Sequence, residues 1–325
     1  MVETVIITGC AGFVGSNLTR RLLDAGIKVN GVDNFSYGEL RNIESFKNHP
    51  NFNFFEGNLT DFDVLDKLEG EVLVHLASQK IPRYSTAFRT LDENSKMLKN
   101  VIDKCLRDKI RVVFASTSDI YGKNPDIPYR EDSNIVLGPS LVKRWAYALS
   151  KFYGEHLLIA NNEEFGLNYT IIRIFGSYGP NQNLTWWGGP QSLFIEKAFK
   201  NEEIEIHGDG LQTRTFTYVD DTVDGFFRAV NMKEAINEIF NVASEPDEEV
   251  TILDLAKKIW TWVNGSDENI KLKFIPYKTF GNYEDVRRRV PDISKIKREL
   301  GYSPKYNLEK GMKKAIEWQK EVMGL

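Results

Sequence analysis

Residues 5–15 read V-I-I-T-G-C-A-G-F-V-G: a short β-branched run stops at Gly9, two more glycines follow at Gly12 and Gly15, and a helical-period segment begins directly after them. A strand that turns this sharply into a helix needs glycine at the turn. The same glycines let a pyrophosphate approach the backbone, where the unpaired N–H groups and the positive end of the helix stabilise its charge. A second β-branched run ends in V-D-N and puts Asp33 18 residues beyond Gly15. That is near the spacing at which a carboxylate accepts from an adenosine ribose. An ionised Asp33 would repel the 2′-phosphate of NADP, and no arginine stands beside it in V-D-N-F-S-Y-G, so NAD is the expected cofactor. The competing reading of Asp33 is a solvent-facing cap on the next turn.

The first third of the chain repeats this alternation. Strands are expected at 5–8, 28–33, 52–57, 72–77 and 111–117, with helical segments between them such as 17–25 and 94–107. Near-continuous apolar strands imply burial on both faces, as in a parallel sheet covered by helices on each side. The fold class expected is α/β, a doubly wound parallel sheet of Rossmann type. At about 150 residues per domain, 325 residues leave room for a second lobe. The texture changes after Pro180, where N-Q-N-L-T-W-W-G-G-P-Q interrupts the pattern. Beyond it, helices at 191–200, 251–263 and 308–322 mix with short strands at 204–206 and 215–219, a smaller mixed α/β lobe that would bind substrate. The division expected is 1–175 plus about 215–245 for the nucleotide half, and about 176–214 plus 246–325 for the substrate half. The helix K-G-M-K-K-A-I-E-W-Q-K-E, apolar on one side and charged on the other, reads as a surface helix.

Charge narrows the partners. With 42 basic and 46 acidic residues the net charge is -4, so no broad cationic field exists to gather nucleic acid or anionic lipid. Cys10 and Cys105 make neither a disulfide framework nor a C-x-x-C site, which fits a reducing compartment. The start M-V-E-T-V-I-I-T-G has no basic leader region, and no apolar run approaches the ~20 residues of a membrane span, so a cytoplasmic location is expected. His49, His75, His156 and His207 lie far apart in sequence, and no metal site is expected.

Tyr147 and Lys151 stand four apart in W-A-Y-A-L-S-K and would share one helix face. Spacing alone is weak, because Tyr306 and Lys310 repeat it outside any strand-loop-helix context. Thr117 distinguishes the first pair: it ends the strand in A-S-T-S-D-I-Y-G, at the carboxyl edge where parallel sheets present ligands. A tyrosine of pKa near ~10 becomes a base near neutrality only if its phenolate is stabilised, and the Lys151 ammonium and an oxidised nicotinamide are expected to do so. Thr117 would then relay the proton from a substrate hydroxyl.

Together these segments resemble the extended short-chain dehydrogenase/reductase family, and within it the NAD-dependent nucleotide-sugar epimerases and dehydratases. The resemblance spans the chain in order: T-G-x-x-G-F-x-G, H-L-A at 75–77, S-T-S-D-I-Y-G, Y-x-x-x-K, R-I-F-G-S-Y-G-P at 173–180, H-G-D-G-L-Q-T-R-T-F-T-Y-V-D-D at 207–221 and V-P-D-I-S-K-I-K-R-E-L-G-Y at 290–302. It implies catalytic places for Thr117, Tyr147 and Lys151. It implies that Gly9, Gly12, Phe13, Val14, Gly15, Asp33, Asn34, Ser36, Gly38, Asn58, Leu59, Leu76 and Ala77 lie along the NAD. Substrate would meet Ser118, Asp119, Gly176, His207 and Arg214, together with Arg287 or Arg289 from the Arg287–Arg289 cluster, the arginines gripping the diphosphate bidentately. His207 is read either as a ring stacked on the base or as a satisfied surface histidine. Family likeness also implies a homodimer through helices on the sheet's flank, including the one that carries Tyr147.

The chain departs from the family pattern at Asn58, where an aspartate is usual, at Met97 in place of a glycine, and at Gly176 in place of an asparagine. Trp186 and Trp187 read either as a carbohydrate platform or as packing beneath a loop. The leading expectation is C4 epimerisation of a UDP-hexose (UDP-glucose, UDP-N-acetylglucosamine or UDP-glucuronate) through a transient 4-keto sugar. The alternative is UDP-glucuronate decarboxylation, because Asp119 stands where relatives of that activity carry a carboxylate and R-W-x-Y-A-x-S-K is similar to theirs. A 4,6-dehydratase is disfavoured by Ser118, which cannot supply the acid that reaction needs, and a non-catalytic NAD sensor by the intact Thr117, Tyr147 and Lys151.

Overall fold

A computed structural model describes residues 2–80, 86–185 and 188–325. The β-branched run Thr4–Thr8 forms β1, and α1 (Phe13–Asp24) follows after the glycine turn. Next come β2 (Lys28–Asp33), β3 (Phe52–Glu56), the short α2 (Phe62–Asp66), β4 (Val72–His75), α3 (Ala87–Asp108) and β5 (Arg111–Thr117). After a long connection come α4 (Trp145–Phe165) and β6 (Tyr169–Ile174). The last strand of the main sheet, β11 (Glu238–Val242), is reached through β7 (Ser177–Tyr178), α5 (Pro190–Phe199), β8 (Ile204–His207), β9 (Thr213–Arg214), β10 (Thr217–Tyr218) and α6 (Val219–Asn231). The chain closes with β12 (Val250–Thr251), α7 (Ile252–Asn264), β13 (Leu272–Ile275), β14 (Arg288–Arg289), α8 (Ser294–Leu300) and α9 (Leu308–Met323).

Seven strands form one parallel sheet in the order β11-β6-β5-β4-β1-β2-β3. The order reverses between β1 and β4, so the loops leaving these strands diverge and open a crevice at their carboxyl ends, where open α/β sheets take ligands. This is the doubly wound class expected. Val5, Ile6, Ile7, Leu73, Val74, Val112 and Val113 are sealed from solvent because helices cover both faces. Three small sheets stand apart: β10 with β7, β12-β9-β14, and β13 with β8.

Several boundaries shift for local reasons. Helix α1 begins at Phe13 rather than residue 17, because Gly15 already lies in its first turn. Helix α3 begins at Ala87 rather than 94: Thr86 caps it by accepting from the Arg89 N–H, although Phe88 and Arg89 of its first turn are exposed. The strand expected at 215–219 shrinks to Thr217–Tyr218, because Val219 starts α6.

Candidate active site

The loops at the switch point enclose a cavity of about 530 Å³. Its floor is the glycine turn. Gly9 has φ +75°, and a Cβ there would lie 2.9 Å from the Ala77 nitrogen; a Cβ on Gly15 would lie 2.0 Å from the Gly9 carbonyl oxygen. Helix α1 starts at Gly12 with no side-chain cap, and Gly9, Gly12, Phe13, Val14 and Gly15 line the cavity together with Leu76. A glycine cradle beneath an uncapped helix N-terminus suits a pyrophosphate. Asp33 ends β2 beside this turn: it accepts from the Ala11 N–H at 3.0 Å and the Phe35 N–H at 2.8 Å, and burial raises its pKa. Gly38 leaves its carboxylate room, since a Cβ there would come within 2.9 Å of both Asp33 oxygens. Asn34, Ser36 and Asn58 are exposed at the carboxyl ends of β2 and β3, Leu59 is buried beside them, and none of the four lines the cavity wall. These residues fit the adenosine end of NAD.

The three residues expected to be catalytic converge on this cavity. Thr117, at the end of β5, is buried and lines the cavity with Tyr147 and Lys151 of α4. The hydroxyls of Thr117 and Ser78 act on the Tyr147 phenol and favour its ionised form. Burial, followed by the Asp119 charge, pushes the Tyr147 phenol well above its ordinary value, and the Thr117 and Ser78 side chains oppose the shift. Lys151 lies 4.7 Å over the Phe114 ring, and burial brings its pKa down to about 7 against the raising effect of Glu155. The Thr117 and Ser78 hydroxyls favour the phenolate, and the positive ring of an oxidised nicotinamide would add to that.

A charged cluster lines the same cavity. Asp119, in the turn Ser118–Tyr121 beyond β5, receives Arg289 at 2.5 Å and Arg144 at 3.2 Å, both on Oδ1. Burial alone would raise its pKa; Arg289, Arg144, Lys80 and Arg214 outweigh that and hold the carboxylate ionised. Arg214 donates to Asp285 at 2.9 Å, and burial lowers its pKa to about 10. Ser118 meets Arg289 at 3.4 Å. Arg287 does not join the cluster: it grips Asp209 on the surface at 2.8 Å, while Arg288 takes Glu249. Gly176 lines the cavity through backbone alone, because a Cβ at its φ of +46° would meet the Thr215 carbonyl oxygen at 2.4 Å. No asparagine fits there without movement. His207 lines the cavity with its ring 4.5 Å from that of Phe280. Trp186 and Trp187 lie outside the described residues.

Ser78, Lys80, Arg144, Tyr283 and Asp285 also line this cavity, and the sequence reading assigned them no role. Arg144 carried the clearest signal, three residues before Tyr147 in R-W-x-Y.

The family model described as "NAD dependent epimerase/dehydratase family" matches residues 5–243. The chain belongs to that family. Over 99% of both chains it is 32% identical to a UDP-N-acetyl-alpha-D-glucosaminuronate decarboxylase of Bacillus cytotoxicus. It is 34% identical to UDP-glucuronic acid decarboxylase 1 of Danio rerio, over 97% of this chain and 72% of that one. Among solved structures it resembles a UDP-glucuronic acid 4-epimerase of Bacillus cereus in complex with UDP-glucuronic acid and NAD, at TM-score 0.86 and 26% identity, covering 98% of this chain and 100% of that one. Membership makes the chain an NAD-dependent enzyme of nucleotide-sugar type.

Proposed function

We propose that the chain decarboxylates UDP-glucuronate, the second of the two reactions expected from its sequence. The observation that carries the reading is Asp119: an ionised carboxylate in the cavity two residues beyond Thr117, with no donor on Oδ2 among the described residues. The names of the decarboxylase relatives support the same choice.

In this reading residues 1–175 with 215–245 hold the cofactor, and 176–214 with 246–325 close over the sugar nucleotide. Arg214 and Arg289 take the diphosphate, while His207 and Phe280 flank the base. Thr117 passes the proton of the sugar 4-hydroxyl to Tyr147. NAD held over Gly9, Gly12 and Gly15 would supply a reversible hydride acceptor for C4. With C4 a ketone, the C6 carboxylate becomes that of a β-keto acid: the C5–C6 bond breaks, its electrons move toward the C4 oxygen and carbon dioxide leaves. Thr117 and Tyr147 hold the oxygen on which charge gathers. Asp119, kept ionised, is an acceptor rather than an acid, and its open Oδ2 fixes a sugar hydroxyl. The net reaction takes up one proton, at C5.

Incubation with UDP-glucuronate and NAD, followed by NMR and dissolved carbon dioxide, tests this. Equal amounts of UDP-pentose and carbon dioxide are expected. UDP-galacturonate without carbon dioxide would instead establish the 4-epimerase, the reading that the Bacillus cereus structure favours. Asp119→Asn is expected to slow carbon dioxide release roughly ten- to hundredfold, the value of a hydrogen bond to a charged group, while NAD binding is retained.

A further inference from the structure

Asp119 is not held by its immediate neighbours alone. Arg144, the residue before α4 and three before Tyr147, spans two carboxylates: Nη1 donates to Asp285 Oδ1 at 2.7 Å and Nη2 to Asp119 Oδ1 at 3.2 Å. Asp285 is itself fixed, accepting from the Val286 N–H at 2.8 Å and Arg214 at 2.9 Å on Oδ1, and from the Tyr277 hydroxyl at 3.1 Å on Oδ2. The Tyr283 hydroxyl at 3.1 Å and the Glu284 carbonyl at 3.3 Å take further hydrogen bonds from Arg144. The guanidinium reaches this position at a local penalty, because its buried Nε finds no acceptor among the described residues.

We propose that Arg144, anchored by Asp285, is a positioning residue that turns Asp119 so that Oδ2 faces the sugar. The alternative geometry is plain. Arg289 alone could take Asp119 fork to fork, engaging both oxygens, which is the preferred arginine–carboxylate arrangement. Here both guanidinium groups crowd onto Oδ1 instead, Arg289 at 2.5 Å and Arg144 at 3.2 Å. Arg144 therefore keeps the second oxygen open by competing for the first. It also ties the start of the Tyr147 helix to the segment that leads to Arg289, so the acceptor and the catalytic hydroxyl are set from one anchor.

The inference rests on Asp119 acting at the sugar, and a double-mutant cycle tests it. Arg144→Met is expected to lower kcat about tenfold, within the coupling range of one ion-pair network, and to leave UDP and NAD affinities within about twofold by calorimetry. Added to Asp119→Asn it should cost nothing further. Asp119 faces Arg289, Arg144, Lys80, Arg214 and Tyr147. Loss of one cation raises its pKa, so the acid limb of kcat should move to higher pH in Arg144→Met and return toward the wild-type position in Arg144→Lys. Additive losses, an unmoved acid limb, or a fall in UDP affinity that accounts for the whole effect would each overturn the proposal. The cycle runs on whichever UDP-sugar the wild type oxidises at C4. Failure to release carbon dioxide thus counts against the decarboxylase reading alone.

Discussion

His75 shows what a single buried side chain adds to stability and how that contribution depends on pH. Its Nδ1 lies 2.8 Å from the Thr8 hydroxyl, and its ring stacks on Phe114. Burial first, and the Lys151 charge second, bring its pKa from 6.5 down to about 3. Between those values the unfolded chain binds a proton that the folded chain refuses, so stability falls as pH drops below 6.5. Asp221 works in the opposite direction: burial raises it to about 6 against the N–H groups of Lys305 and Tyr306, so its penalty is relieved as pH falls from 6 toward 3.8. His75→Gln should isolate the first effect. Its destabilisation relative to wild type, measured by denaturant unfolding, is expected to be about 2 kcal/mol smaller at pH 5 than at pH 7; an unchanged difference would mean that His75 is protonated in the fold. At this scale the sequence identified reactive residue types but not the directions of their side chains. Three successive arginines are visible in R-R-R, yet Arg287, Arg288 and Arg289 go to Asp209, Glu249 and Asp119 respectively. That sorting depends on how β14 pairs with β9. Asp285 was equally unreadable, since both its arginine partners are distant in sequence.

In the proposed reaction, helix α4 is the element on which the chemistry depends. Tyr147, Lys151 and Glu155 follow one another at four-residue spacing, so the catalytic face continues into a buried ion pair. Glu155 meets Arg173 of β6 at 2.7 Å, with both side chains at most 5% exposed. Ser116 donates to the same carboxylate, and Arg173 also reaches the Tyr121 hydroxyl at 2.9 Å and the Glu131 carbonyl at 2.8 Å. This latch joins the helix to the two strands beneath it. Glu155→Gln leaves the Arg173 charge buried without its partner and is expected to cost about 3–5 kcal/mol, read as a lowered denaturation midpoint. Glu155 is also the group that raises Lys151, so the variant's kcat should fall away at a lower alkaline pH than that of wild type. Loss of stability with an unmoved alkaline limb would make the pair structural only. The strands of this half were legible because each is a β-branched run closed by glycine or polar residues, and those at 28–33 and 111–117 match to the residue. Helix starts were less so. A glycine inside the first turn of α1 and a threonine cap ahead of the apolar stripe of α3 are local devices that hydrophobic periodicity does not register.

At the scale of the whole molecule, the flank of the sheet bears on assembly. Helices α3 and α4 pack against each other; Phe88 (76% exposed) and Leu91 on α3 are exposed, as are Leu149 and Tyr153 on α4. Large apolar side chains gathered on one face of a folded chain mark a contact surface. We propose that this face joins two copies in the homodimer implied by the family likeness. A symmetric interface places the same patch on both partners, so each substitution acts twice. A stable dimer needs about 1,200 Å² or more of total buried surface, which two pairs of long helices can supply. Phe88→Glu combined with Tyr153→Glu sets charges against their own copies in an apolar contact. Light scattering at micromolar concentration should give twice the 37.3 kDa chain mass for wild type and a single chain mass for the variant. A wild-type monomer would remove the proposal. If the variant separates, its kcat reads how far the partner steadies α4, because Tyr147 stands on the same helix as Leu149 and Tyr153. A loss of kcat on separation, with NAD affinity held, would show that the flank contact supports the catalytic hydroxyl as well as the assembly.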